Sequence, residues 1–206
     1  MLKIWGRNTS SNVQKVIWAL AEMKLPFERI DVGGAFGKTK DPFYLAMNPN
    51  SLVPTLEEDD GYTMWESNSI VRYLAAKHAT GSLMPADPVM RAKAEMWMDW
   101  QQTALLGFGP LFVGLIRTPP EKRDMAVIRA GQDNTEVGLR LLDGYLANRR
   151  YMIADHLTVA DIPLGCVAYR WYALPIGRPE LPHLRAWYRR LTERPGFAQN
   201  VMLPLT

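Results

Sequence analysis

The chain has one cysteine, Cys166, among its 206 residues. That excludes an intramolecular disulfide and any Cys-x-x-Cys redox pair. Its three histidines, His78, His156 and His183, are widely separated and match none of the usual zinc spacings. No apolar run approaches the ~18 residues that a membrane-crossing helix requires. The N-terminal segment Met1-Leu2-Lys3-Ile4-Trp5 meets Arg7 and Asn8 before any leader-like apolar core can form. A cytoplasmic protein with no membrane contact is therefore expected. Charge of one sign is also scarce: 24 Lys and Arg stand against 21 Asp and Glu, a net +3. With no run of basic residues longer than two, there is no electrostatic footprint for a nucleic-acid partner. What remains is 48% hydrophobic and 22% charged, a globular composition long enough to bury a core without metal or disulfide.

Residues 2–6 read as a short strand. The polar stretch Asn8-Thr9-Ser10-Ser11-Asn12 is rich in helix-capping types. Val13, Val16, Ile17, Leu20 and Ala21 then follow at helical spacing, which predicts an amphipathic helix from Ser11 or Asn12 to about Lys24. Residues 27–32 alternate as a second strand, completing a βαβ unit with a right-handed crossover. After the glycine-rich segment 33–37 comes a short helical run through Phe43, Tyr44 and Met47, then a turn at Asn48-Pro49-Asn50-Ser51. Leu52-Val53-Pro54-Thr55-Leu56 reads as a strand with an internal proline, Asp59-Asp60-Gly61 as a hairpin turn, and Tyr62–Trp65 as its return strand. A helix from Glu66-Ser67 to about His78 closes the first half. No strand is predicted beyond Pro85. Long helices are expected over 88–108 and 121–146; Gly107, Gly109 and Pro110 interrupt the first, bending or ending it, and Ile128, Val137, Leu141 and Leu142 keep helical spacing in the second. Shorter ones begin at Thr158-Val159-Ala160-Asp161 and at Pro182. An α/β domain over 1–80 followed by an all-helical domain over 86–206 is the predicted architecture.

Three features carry chemistry, and each has a plainer structural reading beside it. The hydroxyl and amide side chains at the start of the first helix sit among free backbone N–H groups, where thiolate is favoured over thiol; the same residues serve as an ordinary cap. Val53-Pro54, if cis, ends a strand in a bend whose backbone groups can pair with an extended peptide; if trans, it is an edge-strand proline. Glu66-Ser67 at a strand-to-helix junction offers a carboxylate for an ammonium group and a helix N-terminus for a carboxylate, or simply caps the helix. Together the three fit a ligand with an amino acid head, a peptide backbone and a thiol, and glutathione has all three.

The segments Ser10-Ser11-Asn12-Val13-Gln14-Lys15-Val16, Asn48-Pro49-Asn50-Ser51-Leu52-Val53-Pro54-Thr55-Leu56 and Trp65-Glu66-Ser67-Asn68-Ser69-Ile70-Val71-Arg72-Tyr73-Leu74 resemble the cytosolic glutathione S-transferase family. The likeness is to its bacterial serine- or asparagine-type, theta-, nu- or phi-like members, and it extends over essentially the whole chain. It implies a thioredoxin-like N-terminal domain, an all-helical C-terminal domain that supplies the hydrophobic second-substrate site, and a cis Val53-Pro54 bond. It further implies that Ser10 donates to the glutathione sulfur. Asn12 matches an asparagine that contacts the sulfur in some disulfide-reducing classes, and Thr9 and Ser11 lie within a one-residue slip of Ser10.

In the same resemblance Val53 pairs with the cysteinyl unit, Glu66 and Ser67 hold the γ-glutamyl head, and Lys40, or its competitor Lys38, reaches the glycine carboxylate. Glutathione is then a co-substrate and not a permanently bound cofactor, the acceptor is a small hydrophobic electrophile, and the protein is a homodimer. Reduction of disulfides or peroxides by glutathione, and non-catalytic binding of glutathione or apolar ligands, are the alternative functions. Asp161 reads as a structural cap and Cys166 as a small buried hydrophobe. Trp100, Phe108, Phe112 and Trp171 are divided between core packing and the second pocket.

Overall fold

The computed structural model describes residues 1–206. Strand β1 (Leu2–Trp5), helix α1 (Ser11–Glu22) and strand β2 (Phe27–Ile30) form the expected βαβ unit, with β1 and β2 parallel. A short helix α2 (Pro42–Met47) leads to strand β3 (Thr55–Glu57), strand β4 (Thr63–Trp65) and helix α3 (Ser67–His78). The sheet order is β2-β1-β3-β4, with β3 antiparallel to both of its neighbours. Ile4 and its cross-strand partner Leu56 are both fully buried in the core that also holds the apolar faces of α1 and α3. The strand expected over 52–56 starts later, at Thr55. Pro54 has no N–H to give a ladder, and the Val53-Pro54 bond is cis, so the chain turns before it pairs.

The remainder is helical: α4 (Pro88–Ala104), α5 (Phe108–Phe112), α6 (Met125–Leu146), α7 (Asp161–Ala173), α8 (Pro182–Thr192) and α9 (Pro195–Asn200). Two of the predicted helix bounds shift. The helix predicted over 88–108 stops at Ala104, because the chain turns through Gly107 to lie against α6. A Cβ on Gly107 would meet the Gly131 carbonyl oxygen at 2.7 Å, so the two backbones touch where neither residue has a side chain. The helix predicted from Glu121 begins at Met125, where Asp124 Oδ1 accepts from the Ala126 and Val127 N–H groups at 2.9 and 3.1 Å. On α6 the buried stripe is Ile128, Gly131, Thr135, Gly138, Leu139, Leu142 and Leu146; Val137 and Leu141 lie outside it and are exposed.

Helix α1 is the centre of the packing. Every residue from Val13 to Leu20 is buried, against α3 on one side and α7 and α9 on the other. Trp18 is fully buried, edge-on to Phe197 at 4.7 Å between ring centroids, and Gly165 of α7 leaves room for its ring.

Asp161 organises the second half, as its structural reading anticipates. Its carboxylate is fully buried and accepts four hydrogen bonds: from Met152 N–H at 3.0 Å, Trp187 Nε1 at 2.8 Å, Thr158 N–H at 2.9 Å and Thr158 Oγ1 at 3.1 Å. Burial pushes its pKa upward, and the four donors pull against that shift. Asp161→Asn keeps the shape but turns an NH2 group toward these donors. It is expected to cost ~3 kcal/mol, the scale of a lost hydrogen bond to a buried charge plus an unpaired donor. Urea unfolding followed by tryptophan fluorescence reads this as a lower midpoint with unchanged slope.

Candidate active site

Two concavities flank the N-terminal turn of α1. The first is a narrow cleft lined by Asn12, Asn48, Asn50, Leu52, Val53, Pro54, Trp65, Glu66 and Ser67. A clasp of side chains fixes its floor. Tyr44 Oη donates to the Leu52 carbonyl at 2.6 Å, and Asn48 Nδ2 donates to the same oxygen at 2.9 Å and to Thr55 Oγ1 at 3.1 Å. Tyr44 has spent its one proton, so Thr55 is the donor in the 2.9 Å contact between their hydroxyls. The residues before and after the cis Val53-Pro54 bond are thus pinned to α2 and the turn that follows it. The Val53 N–H and C=O take no part in the sheet or in any turn, so they remain free to pair with a peptide lying along the cleft.

Glu66 caps α3 with φ +72°, in the backbone region that residues with a side chain avoid. Holding it there costs on the order of 1–3 kcal/mol, and such conformations concentrate at functional sites. The sharp turn places an exposed carboxylate beside the first turn of a twelve-residue helix, where the buried Ser67 and the backbone N–H groups can receive an anion. One acidic group and one anion-binding group therefore sit side by side, as an α-amino acid head requires.

The second concavity, of about 230 Å³, lies on the other side of α1. Leu105, Leu106, Phe108 and Val167 form apolar wall, and Ser11, Asn12, Lys15, Gln101 and Arg170 supply polar groups. Of the aromatic candidates only Phe108 lines it; Trp171 is fully buried in the core. Cys166 is on its wall too, but burial pushes that thiol up to about 11, which keeps it protonated and unreactive near neutrality.

Asn12 is the residue shared by both walls. Ser10, Asn12, Val53, Pro54, Glu66 and Ser67 gather around the start of α1 and the cleft, but not equivalently. Ser10 is the N-cap position of α1 and buried; its hydroxyl makes no capping bond, and it lines neither cavity. Lys40 is exposed in the loop before α2 and lines neither cavity, and Lys38 lies in the same loop at φ +66°. Sequence reasoning missed Lys15 and Arg170, which look like core and helix-face residues in the primary structure. Their only signal is a cation on an otherwise apolar helical face.

Lys15 is buried without an acidic partner, and its Nζ donates only to Gln101 Oε1, at 3.1 Å. Desolvation brings its pKa down to about 8, with the Arg170 charge a smaller contribution in the same direction. The folded state therefore binds this proton less readily than the unfolded chain, and the cost is full below about 8. Stability is regained as pH rises from there toward the unfolded lysine value of ~10.4. Lys15→Met should raise stability near neutral pH by roughly 2–3 kcal/mol, after allowing for the lost Gln101 bond. Parallel denaturant titrations at neutral and alkaline pH check this, because the difference from wild type should shrink as pH rises.

Comparison with known proteins agrees with this geometry. A family model described as "Glutathione S-transferase, N-terminal domain" matches residues 9–77, and one described as "Glutathione S-transferase, C-terminal domain" matches residues 109–195. The chain is 42% identical over 208 residues to glutathione S-transferase GstB of Escherichia coli, with 100% of both chains covered. It is 31% identical to glutathione S-transferase 3 of Zea mays, covering 97% of this chain and 93% of that one. Its fold superposes with a TM-score of 0.96 on the theta class glutathione S-transferase from Xanthomonas axonopodis pv. citri, solved with glutathione bound, at 46% identity, covering 100% of this chain and 99% of that one. With the cleft, the start of α1 and the full-length matches in agreement, the chain belongs to the glutathione S-transferase family.

Proposed function

We propose that the protein is a glutathione transferase that joins the glutathione thiolate to a small electrophile, and that the sulfur lies at Asn12. The observation that carries this reading is that Asn12, on the first turn of α1, is part of both cavity walls. Asn12 is the residue that joins the cleft to the second cavity, so a peptide in the cleft brings its thiol to that side chain. In this arrangement the γ-glutamyl carboxylate meets Ser67 and the α3 N-terminus, and its ammonium meets Glu66. The cysteinyl backbone pairs with Val53. The glycine carboxylate points toward Asn50 and the loop that bears Lys40.

The chemistry follows from the charges. The α1 N-terminus and the Asn12 amide stabilise the thiolate, which shifts the thiol pKa down and raises the fraction of nucleophile. Val53 and the α3 N-terminus hold the sulfur in line with the second cavity, so most of the rate comes from position and from a pre-formed thiolate. Residues 1–80 then act as the glutathione-binding domain, and residues 86–206 contribute the electrophile site. Asn12 at the sulfur supports a second reading as well, glutathione-dependent reduction of a disulfide, which uses the same thiolate on a different acceptor. The family resemblance also supports a homodimer. Val89 and Met96 on α4 and Val137 and Leu141 on α6 are apolar side chains left exposed, at 62%, 57%, 71% and 53%.

Ultraviolet absorbance of the bound thiolate against pH tests the assignment. Asn12→Ala should move the bound thiol pKa upward by ~1 unit or more and reduce kcat about tenfold, a single lost hydrogen bond to the anion. Ser10→Ala should change both by less. The reverse ranking would transfer the role to Ser10. Glu66→Ala and Ser67→Ala should each weaken retention on immobilised glutathione, by ~1.5–3 kcal/mol for a charge-assisted contact. Assays on an aryl halide and on a mixed disulfide separate the two reactions. Sedimentation of Leu141→Glu should give one chain's mass where wild type gives two; a wild-type mass of one chain would remove the dimer.

A further inference from the structure

Resting on the transferase reading, we propose that the second cavity is built for an electrophile bearing an anionic group, a carboxylate or sulfonate, held between Lys15 and Arg170. Both cations are almost completely buried, at 4% and 5% exposure, and both line the cavity. Neither takes part in any ion pair; the eight in the molecule are all made elsewhere. The protein partners they do have are neutral. Lys15 donates to the Gln101 side-chain carbonyl. Arg170 donates to the Cys166 carbonyl at 3.3 Å and the Thr9 carbonyl at 3.1 Å, and lies 5.7 Å from the centroid of the Phe112 ring. That leaves N–H groups on both side chains without an acceptor, and the cavity wall contains no carboxylate.

The surroundings reinforce the positive field. Arg7 and Arg117 add to it at Arg170, and Cys166 is a neutral thiol. The one carboxylate whose field reaches Lys15 is Glu66, which belongs to the other cavity and is committed there to the glutathione ammonium. Two neighbouring cations buried without counter-charge are costly, and a fold keeps such an arrangement where a ligand supplies the missing charge. The apolar half of the wall, Leu105, Leu106, Phe108 and Val167, suits the body of the same ligand. A small amphipathic acid fits this combination.

The cations also solve a problem of the reaction. A thiolate repels an anionic electrophile in water, and that repulsion raises the barrier. Held between Lys15 and Arg170, the anion is neutralised before the sulfur approaches. In the step itself the thiol first loses its proton to water. The sulfur then forms a bond to the electrophilic carbon, and the bond to the leaving group breaks, with its electron pair departing as halide.

The test compares chlorodinitrobenzoate with its carboxamide, which has the same leaving group and nearly the same shape. Each kcat/KM is divided by the uncatalysed rate with glutathione, so ring activation cancels. The wild-type ratio should favour the carboxylate by about tenfold or more, the scale of one charge-assisted contact. Lys15→Met and Arg170→Met should each bring the ratio toward one, and Lys15→Arg should retain it. Calorimetry with dinitrobenzoate, which has no leaving group, should show binding to the wild-type protein that is lost in Lys15→Met. A wild-type ratio near one overturns the inference while leaving the transferase reading intact. So does an equal fall on both electrophiles in Lys15→Met, which would assign the cations to the glutathione sulfur alone. Turnover of neither compound, with no retention on immobilised glutathione, removes the transferase reading and the inference with it.

Discussion

Helix α1 is buried along its whole middle, with only its ends reaching solvent, and the geometry of the site depends on that enclosure. Its residues Val13 to Leu20 are buried between the sheet-side helix α3 and the helices α7 and α9, with Trp18 wedged against Gly165 and Phe197. A helix gripped this way cannot shift its first turn without disturbing the one core that joins the sheet to the helical half. The free N–H groups and Asn12 are therefore held where the two cavities meet. The same enclosure strips water from Lys15, one turn further along, and makes it a cation without a counter-ion.

The cleft is held by a different device, made of small polar contacts. Tyr44, Asn48 and Thr55 clasp the residues around the cis Val53-Pro54 bond, and Glu66 takes an unfavourable backbone conformation at the edge of α3. Each presents a group that the fold itself does not use: an unpaired backbone N–H and C=O at Val53, an exposed carboxylate at Glu66, a helix N-terminus at Ser67. Core energy from α1, α3 and the Asp161 network carries these costs. The site is thus a set of polar groups that the fold leaves unused, held in place by the buried core.

Much of this was legible in the sequence, for identifiable reasons. The βαβ unit showed because Val13, Val16, Ile17 and Leu20 keep helical period between two strand patterns, and the site segments showed because capping residues, an internal proline and Glu66-Ser67 are local signals. Asp161 was legible because its main partner, Thr158, is three residues away. The failures were non-local. Nothing near Gly107 reveals that Gly131 will lie against it, so the predicted helix ran on past Ala104. Val137 and Leu141 keep helical spacing with each other but sit on the outer face, since period alone does not say which stripe is buried. Lys15 and Arg170 converge from α1 and α7 across 155 positions of sequence, and no local pattern announces such a meeting. Ser10 and Asn12 could not be ranked from sequence because both are good capping residues, and only the cavity walls separate them.

We assign the glutathione sulfur to Asn12, where α1 brings the two cavities together. A crystal structure of the protein with S-alkylated glutathione tests it most directly. The sulfur should lie within hydrogen-bond reach of the Asn12 amide, with the cysteinyl backbone paired with Val53 and the alkyl group entering the cavity of Phe108 and Lys15. A sulfur resting on Ser10, with the alkyl group directed away from that cavity, would contradict it.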